Sequence, residues 1–140
     1  MIERAKKEDI TQILNISKSF FDWTKTQIED SLKEENTIFL VEKQKDVLGF
    51  LIAEDLVDSI NILLIATKKE NQKKGIGSAL LKELEKIAKQ KNIQKIWLEV
   101  KETNISAIKF YESQNFKLLT RRKKYYKTGE DAIIYEKNAF

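Results

Sequence analysis

An apolar run from Ile60 to Ala66 leads into Gln72-Lys73-Lys74-Gly75-Ile76-Gly77-Ser78, and a strongly helical segment from Ala79 to Lys91 follows. This order suits a cradle for phosphate. With no side chains at Gly75 and Gly77, successive backbone N–H groups can approach an anion, and the following helix presents its unpaired amides and positive dipole end to the same anion. Lys73 and Lys74 add positive charge at the rim, and Ile76 and Ser78 complete the turn. The spacing excludes two familiar nucleotide sites. A P-loop needs four residues between its glycines and then Lys and Ser/Thr, and a dinucleotide fingerprint needs Gly or Ala where Leu80 stands.

The chain has no His and no Cys, so general acid and base work falls to Glu, Asp, Tyr, Lys or water, and disulfide and thiolate chemistry are absent. No metal is called for. Its 140 residues, 41% of them hydrophobic, suffice for one packed core, and a single domain over 1–140 is expected. There is no apolar run near membrane-spanning length and no signal-like N-terminus, so a soluble cytoplasmic protein without membrane contact is expected. The net charge of +4, from 26 basic and 22 acidic residues, is too small to imply nucleic acid, yet it suits an anionic ligand. The densest basic cluster, Arg121-Arg122-Lys123-Lys124 ahead of Tyr125 and Tyr126, reads either as an RNA-contacting patch or as a solvated strand with aromatics beneath it. The second reading is preferred.

Hydrophobic periodicity predicts a short strand at Ile2 to Arg4, a helix from Asp9 to Phe20, and a second helix ending near Glu34 behind a Thr24/Gln27 capping box. Three strands, Thr37 to Glu42, Val47 to Asp55 and Ser59 to Ala66, form a meander. After the glycine-led helix, with a Glu85–Lys89 surface pair, come a strand at Lys95 to Val100 and a helix from Asn104 to Gln114. Asn115 follows as a left-handed cap, and strands at Phe116 to Lys124 and Ala132 to Lys137 close the chain. Antiparallel strands first, then strand-helix-strand-helix-strand, describe an α/β or α+β sheet rather than a regular doubly wound one.

The glycine turn, Trp97-Leu98-Glu99-Val100, Asn104 with Ala107, Phe110-Tyr111, Arg121-Arg122 with Tyr125-Tyr126, and Glu130-Asp131-Ala132 together resemble the GNAT superfamily of acetyl-CoA-dependent N-acetyltransferases. The combination is more similar still to the RimI group, bacterial enzymes that acetylate the N-terminal alanine of a small-subunit ribosomal protein. Phe21-Asp22-Trp23-Thr24 matches an element of that group, with Asp22 in place of Pro. The resemblance covers nearly the whole chain. It implies a mixed, mostly antiparallel seven-stranded sheet with about four helices on its two faces, in which the strand before the glycine turn and the strand holding Glu99 run parallel and splay apart.

It also implies roles. The backbone at Ile65, Ala66 and Thr67 would pair with the pantetheine arm, Lys73 through Ser78 would hold the pyrophosphate, and Asn104 would touch acetyl-CoA. Glu99 takes the place of the general base and Tyr111 that of the general acid. An ordinary carboxylate near pKa 4.3 facing an α-amine near 8 is mismatched by about 3.5 units, roughly 5 kcal/mol, so the expectation is that a water relays the proton. An ordinary phenol near 10 lies within about two units of a thiol and can protonate the leaving group. At pH 7 roughly 10% of an α-amine is neutral, against roughly 0.04% of a lysine amine, which favours a protein N-terminus as acceptor. A lysine or a small amine remains the alternative within the enzyme class, and an acetyl-CoA- or RNA-binding module the alternative outside it.

Overall fold

The computed structural model describes residues 1–18, 20 and 22–140. Seven strands form one sheet: β1 (Ile2–Arg4), β2 (Thr37–Lys43), β3 (Val47–Asp55), β4 (Ser59–Thr67), β5 (Lys95–Lys101), β6 (Lys117–Arg122) and β7 (Ala132–Asn138). Their spatial order is β1-β2-β3-β4-β5-β7-β6, antiparallel at every pairing except the parallel β4–β5 step. Four helices cover it: α1 (Ile10–Ser17), α2 (Lys25–Lys33), α3 (Ile76–Gln90) and α4 (Ile105–Ser113). The mixed, mostly antiparallel architecture is therefore the one the sequence resemblance implied.

Two apolar layers hold the helices to opposite faces. Leu80, Leu81, Leu84 and Ile87 of α3 and Tyr111 of α4 join Ile38, Leu51, Ile60, Ile96, Leu98 and Val100 from the sheet. On the other face Ile10, Ile13 and Ile16 of α1 and Ile28 of α2 pack on Phe39, Phe50, Ile52 and Leu64. Among the described residues the α1/α2 layer lies over β2, β3 and β4, while on the same face of β5 Lys95, Glu99 and Lys101 are exposed.

Local chemistry sets the helix ends. Thr24 and Gln27 make the expected capping box, each side chain accepting from the other residue's N–H at 3.2 and 2.7 Å. Asn92 (φ 57°) and Asn115 (φ 68°) end α3 and α4 in left-handed caps, and the N–H of Ile93 and of Phe116 reach back to the carbonyls of Ala88 and Tyr111. Several expected boundaries move. The helix expected from Asp9 to Phe20 is a 3-10 turn at Lys7–Asp9 followed by α1, which stops at Ser17, whose hydroxyl donates back to the Leu14 carbonyl at 2.9 Å. Asp9 is consumed by structure, buried and accepting from the Lys6 N–H and from Lys43 Nζ at 2.6 Å. Glu85 binds Lys137 of β7 at 2.9 Å instead of the expected Lys89, because the sheet offers a nearer cation than the next helical turn. The last-but-one strand ends at Arg122, two residues short of Lys124. Phe21, part of the Phe-Asp-Trp-Thr element, lies outside the described residues.

Candidate active site

A β-bulge in β4 opens the site. Ile52 of β3 faces Leu64 and Ala53 faces Ile62, leaving Leu63 as an extra residue. The insertion reverses the alternation. Ile60 and Ile62 point to the α3/α4 layer, while Leu64 and Ala66 point to the α1/α2 layer. At the same point β4 parts from β5, since their rungs run from Ser59↔Lys95 to Ile62↔Leu98 and stop although both strands continue. The splay implied by the resemblance is thus present, with Ile65, Ala66 and Thr67 on the length of β4 that has no β5 partner. Glu99 is the first residue of β5 beyond the last rung.

The turn at the far end of β4 presents a row of free donors. Gly75 (φ 83°) is the N-cap of α3, so the helix begins at Ile76, within the glycine motif and earlier than Ala79. The first bond back into this turn is from the Ala79 N–H to the Gly75 carbonyl at 3.0 Å. Among the described residues, the backbone N–H groups of Lys73, Lys74, Gly75, Ile76, Gly77 and Ser78 donate to no protein acceptor. Lys73, also left-handed at φ 63°, and Lys74 are both exposed at the rim. Six unpaired donors and two ammonium groups at a helix start can hold a diphosphate.

Glu99 and Tyr111 belong to opposite faces of the sheet. Leu98 and Val100 enter the α3/α4 layer that also contains Tyr111, so alternation turns Glu99 to the other face, where it is exposed. Tyr111 is buried between Phe110 and Phe116, with edge-on ring contacts at 5.4 and 5.5 Å. Burial holds its phenol well above the ordinary tyrosine value. Its hydroxyl makes no hydrogen bond to protein among the described residues, yet no buried polar side-chain atom among them is orphaned, so this oxygen retains contact with solvent. Asn104 is the N-cap of α4, its side-chain oxygen accepting from the Ala107 N–H at 3.3 Å, so it holds the helix that carries Tyr111.

Tyr126, which the sequence placed in a basic-aromatic cluster and in the family resemblance but gave no role in the site, is the unforeseen member. Its hydroxyl donates to Glu99 Oε2 at 3.2 Å, and Lys101 sits 4.9 Å from the centre of its ring. Burial first, and then the Glu99 carboxylate, push its phenol up to about 12. Alternation on β5 cannot announce a partner that arrives on a hairpin from β6 and β7. That hairpin is pinned by Arg121, which binds Glu102 at 3.0 Å and Asp131 at 2.9 Å, while Asp131 also accepts from the Lys124 N–H. The Lys124 N–H and Arg121 together hold the Asp131 carboxyl below the usual range. Arg121 is thereby engaged in structure. Arg122 lies 5.5 Å from the Tyr125 ring, so two cations of the basic cluster already have protein partners.

Residues 7–116 match the model of the Acetyltransferase (GNAT) family. The chain belongs to that family. Over 117 residues it is 32% identical to the [ribosomal protein bS18]-alanine N-acetyltransferase of Escherichia coli (strain K12), an overlap of 81% of this chain and 79% of that protein. The crystal structure of the ribosomal-protein-S18-alanine N-acetyltransferase from Escherichia coli superposes with a TM-score of 0.88 at 27% identity, covering 99% of this chain and 93% of that one. An N-alpha-acetyltransferase of Saccharolobus solfataricus is 30% identical over 149 aligned positions, 95% of this chain and 89% of that protein. This GNAT member is an N-acetyltransferase. No helix among its described residues is long and apolar enough to cross a membrane.

Proposed function

We propose that residues 1–140 act as one domain that transfers acetyl from acetyl-CoA to the N-terminal amine of a cytoplasmic protein, with the N-terminal alanine of a small-subunit ribosomal protein as first candidate. The observation that carries this reading is the pairing of an unzipped β4–β5 gap, headed by Glu99, with six free amides at the end of the same β4. Lys73 through Ser78 hold the diphosphate, and the free edge at Ile65, Ala66 and Thr67 aligns the pantetheine arm. The amine enters over the exposed face of β5, and Glu99 receives its proton through a water. Attack on the thioester carbonyl forms the C–N bond, and collapse of the tetrahedral intermediate breaks the C–S bond. The departing thiolate takes its proton from Tyr111; burial raises this phenol above the ordinary value, so it stays protonated in the resting site but is a weaker acid than the ordinary phenol assumed from the sequence. Transfer is direct in this reading, since without a Cys nucleophile an acyl-enzyme route has little to stand on.

The names of the relatives support a protein N-terminus over a lysine or small amine, since both the bacterial and the archaeal relatives are named for N-terminal acetylation. An RNA-binding role through Arg121 to Lys124 is disfavoured by the engagement of Arg121 with two carboxylates. The test is acetyl transfer to short peptides that differ in their first residue, run beside Glu99→Gln and Tyr111→Phe. Each substitution is expected to lower kcat by about 10²–10⁴-fold while acetyl-CoA affinity is kept. Full turnover in either variant removes that residue from its role, and transfer to lysine or small amines in preference to every peptide overturns the acceptor class.

A further inference from the structure

Ser78 is unlike the other helical serines whose hydroxyls are bonded in this chain. Ser17 and Ser113 each donate back to the carbonyl three residues earlier, Leu14 at 2.9 Å and Phe110 at 2.6 Å. Ser78 is turned instead toward α4, where its oxygen accepts from the side-chain amide of Gln114 at 2.8 Å. A hydroxyl carries one proton, and among the described residues this one donates it to no protein group. It lies beside the unpaired N–H groups of Ile76, Gly77 and Ser78 itself. Gln114 is in turn rigidly based. It closes α4, its N–H bonded to the carbonyls of Phe110 and Tyr111 at 3.1 Å, one residue before the left-handed Asn115. Four residues earlier on α4, the Phe110 ring lies where a Cβ on Gly77 would meet it at 2.9 Å, so the helix end is seated against the turn at a second point.

We propose that Gln114 is a positioning residue for the diphosphate: by occupying the acceptor side of the Ser78 hydroxyl, it aims the hydroxyl proton at a phosphate oxygen. The inference rests on the reading of this turn as the coenzyme A site. It adds a seventh donor to the six amides and places its control on a different helix.

Coenzyme A affinity, measured by calorimetry on Ser78→Ala, Gln114→Leu, Gln114→Glu and the Ser78→Ala/Gln114→Leu pair, tests it. Ser78→Ala is expected to weaken binding about 10-fold or more, as loss of one hydrogen bond to a charged group does. Gln114→Leu weakens it about 5-fold, and the double variant binds like Ser78→Ala alone, since Gln114 acts only through that hydroxyl. Gln114→Glu binds no better than Gln114→Leu, because a carboxylate draws the serine proton to itself and repels the diphosphate. In turnover the KM for acetyl-CoA rises in Gln114→Leu while kcat holds. Wild-type affinity in Gln114→Leu, or losses that multiply in the double variant, overturn the proposal. If Gln114→Leu disturbs the helix end, Gln114→Met keeps the length and gives the same comparison. Failure of the unaltered protein to bind coenzyme A sinks the underlying reading of the turn, an outcome distinct from all of these.

Discussion

The Tyr126 hydroxyl binds one oxygen of the Glu99 carboxylate and leaves the other for water or amine. A neutral phenol is required for that donation. With its value raised to about 12, Tyr126 keeps its proton across the whole range in which an α-amine becomes neutral. Burial is the larger cause and Glu99 the second, so Glu99→Gln is expected to lower the phenol's midpoint without returning it to about 10, the ordinary value. Phenolate absorbance, as the difference between titrations with and without Tyr126→Phe, reads that midpoint. An unchanged midpoint in Glu99→Gln dismisses the contact. The stability consequence has a definite sign. A folded-state value above the unfolded one leaves the contribution of Tyr126 intact below about pH 10 and removes it as pH rises toward 12. Tyr126→Phe should therefore flatten the alkaline fall in unfolding free energy over that window and leave the acid limb alone.

Helix α3 begins inside the glycine motif, and its two glycines are required for different reasons. Gly75 stands at φ 83° with open space around it, so Gly75→Ala meets only backbone strain, costing about 1–2 kcal/mol, and it tilts the fan of free amides. Gly77→Ala instead drives a methyl into the Phe110 ring at 2.9 Å, and the expected cost is about 1–3 kcal/mol of overpacking. Denaturant midpoints separate the two. Phe110→Leu added to Gly77→Ala should recover part of the loss, whereas added to Gly75→Ala it should recover none. An equal response in both would mean that Phe110 does not seat on Gly77. The motif's text announced free amides and a helix start, and both are present. It could not announce Phe110, because a ring arriving from a helix some 30 positions later leaves no mark on local spacing. The capping box at Thr24 and the left-handed Asn115 were legible for the opposite reason, since the groups they join lie within a few residues. The Glu85 partner was not, because β7 brings Lys137 to it across the fold.

For the molecule as a whole, the bulge at Leu63 decides what the sheet can do. Strict alternation from Ile60 through Ala66 reads as one continuous buried strand, yet the extra residue sends its two halves to opposite layers and coincides with the last β4–β5 rung. Only the family resemblance carried the splay at the sequence level; periodicity of hydrophobic residues is blind to it. The sheet consequently contains a strand edge in its middle, from Leu63 to Thr67 facing Glu99 to Lys101, which the proposed function gives to the pantetheine arm. On that proposal, coenzyme A must stabilise the whole fold, because its site exists only where β4, α3 and α4 are all in place. Coenzyme A at about 100 times its Kd should add roughly 2.7 kcal/mol to the unfolding free energy. For a chain of this length that is a rise in Tm of about 10 °C. Thermal melts with and without coenzyme A read the shift, and Gly75→Ala should shrink it at equal ligand concentration. A Tm indifferent to saturating coenzyme A, in protein that calorimetry shows to bind it, would mean that the unfolded chain binds it as tightly as the folded one, and the open seam between β4 and β5 would then have some other occupant.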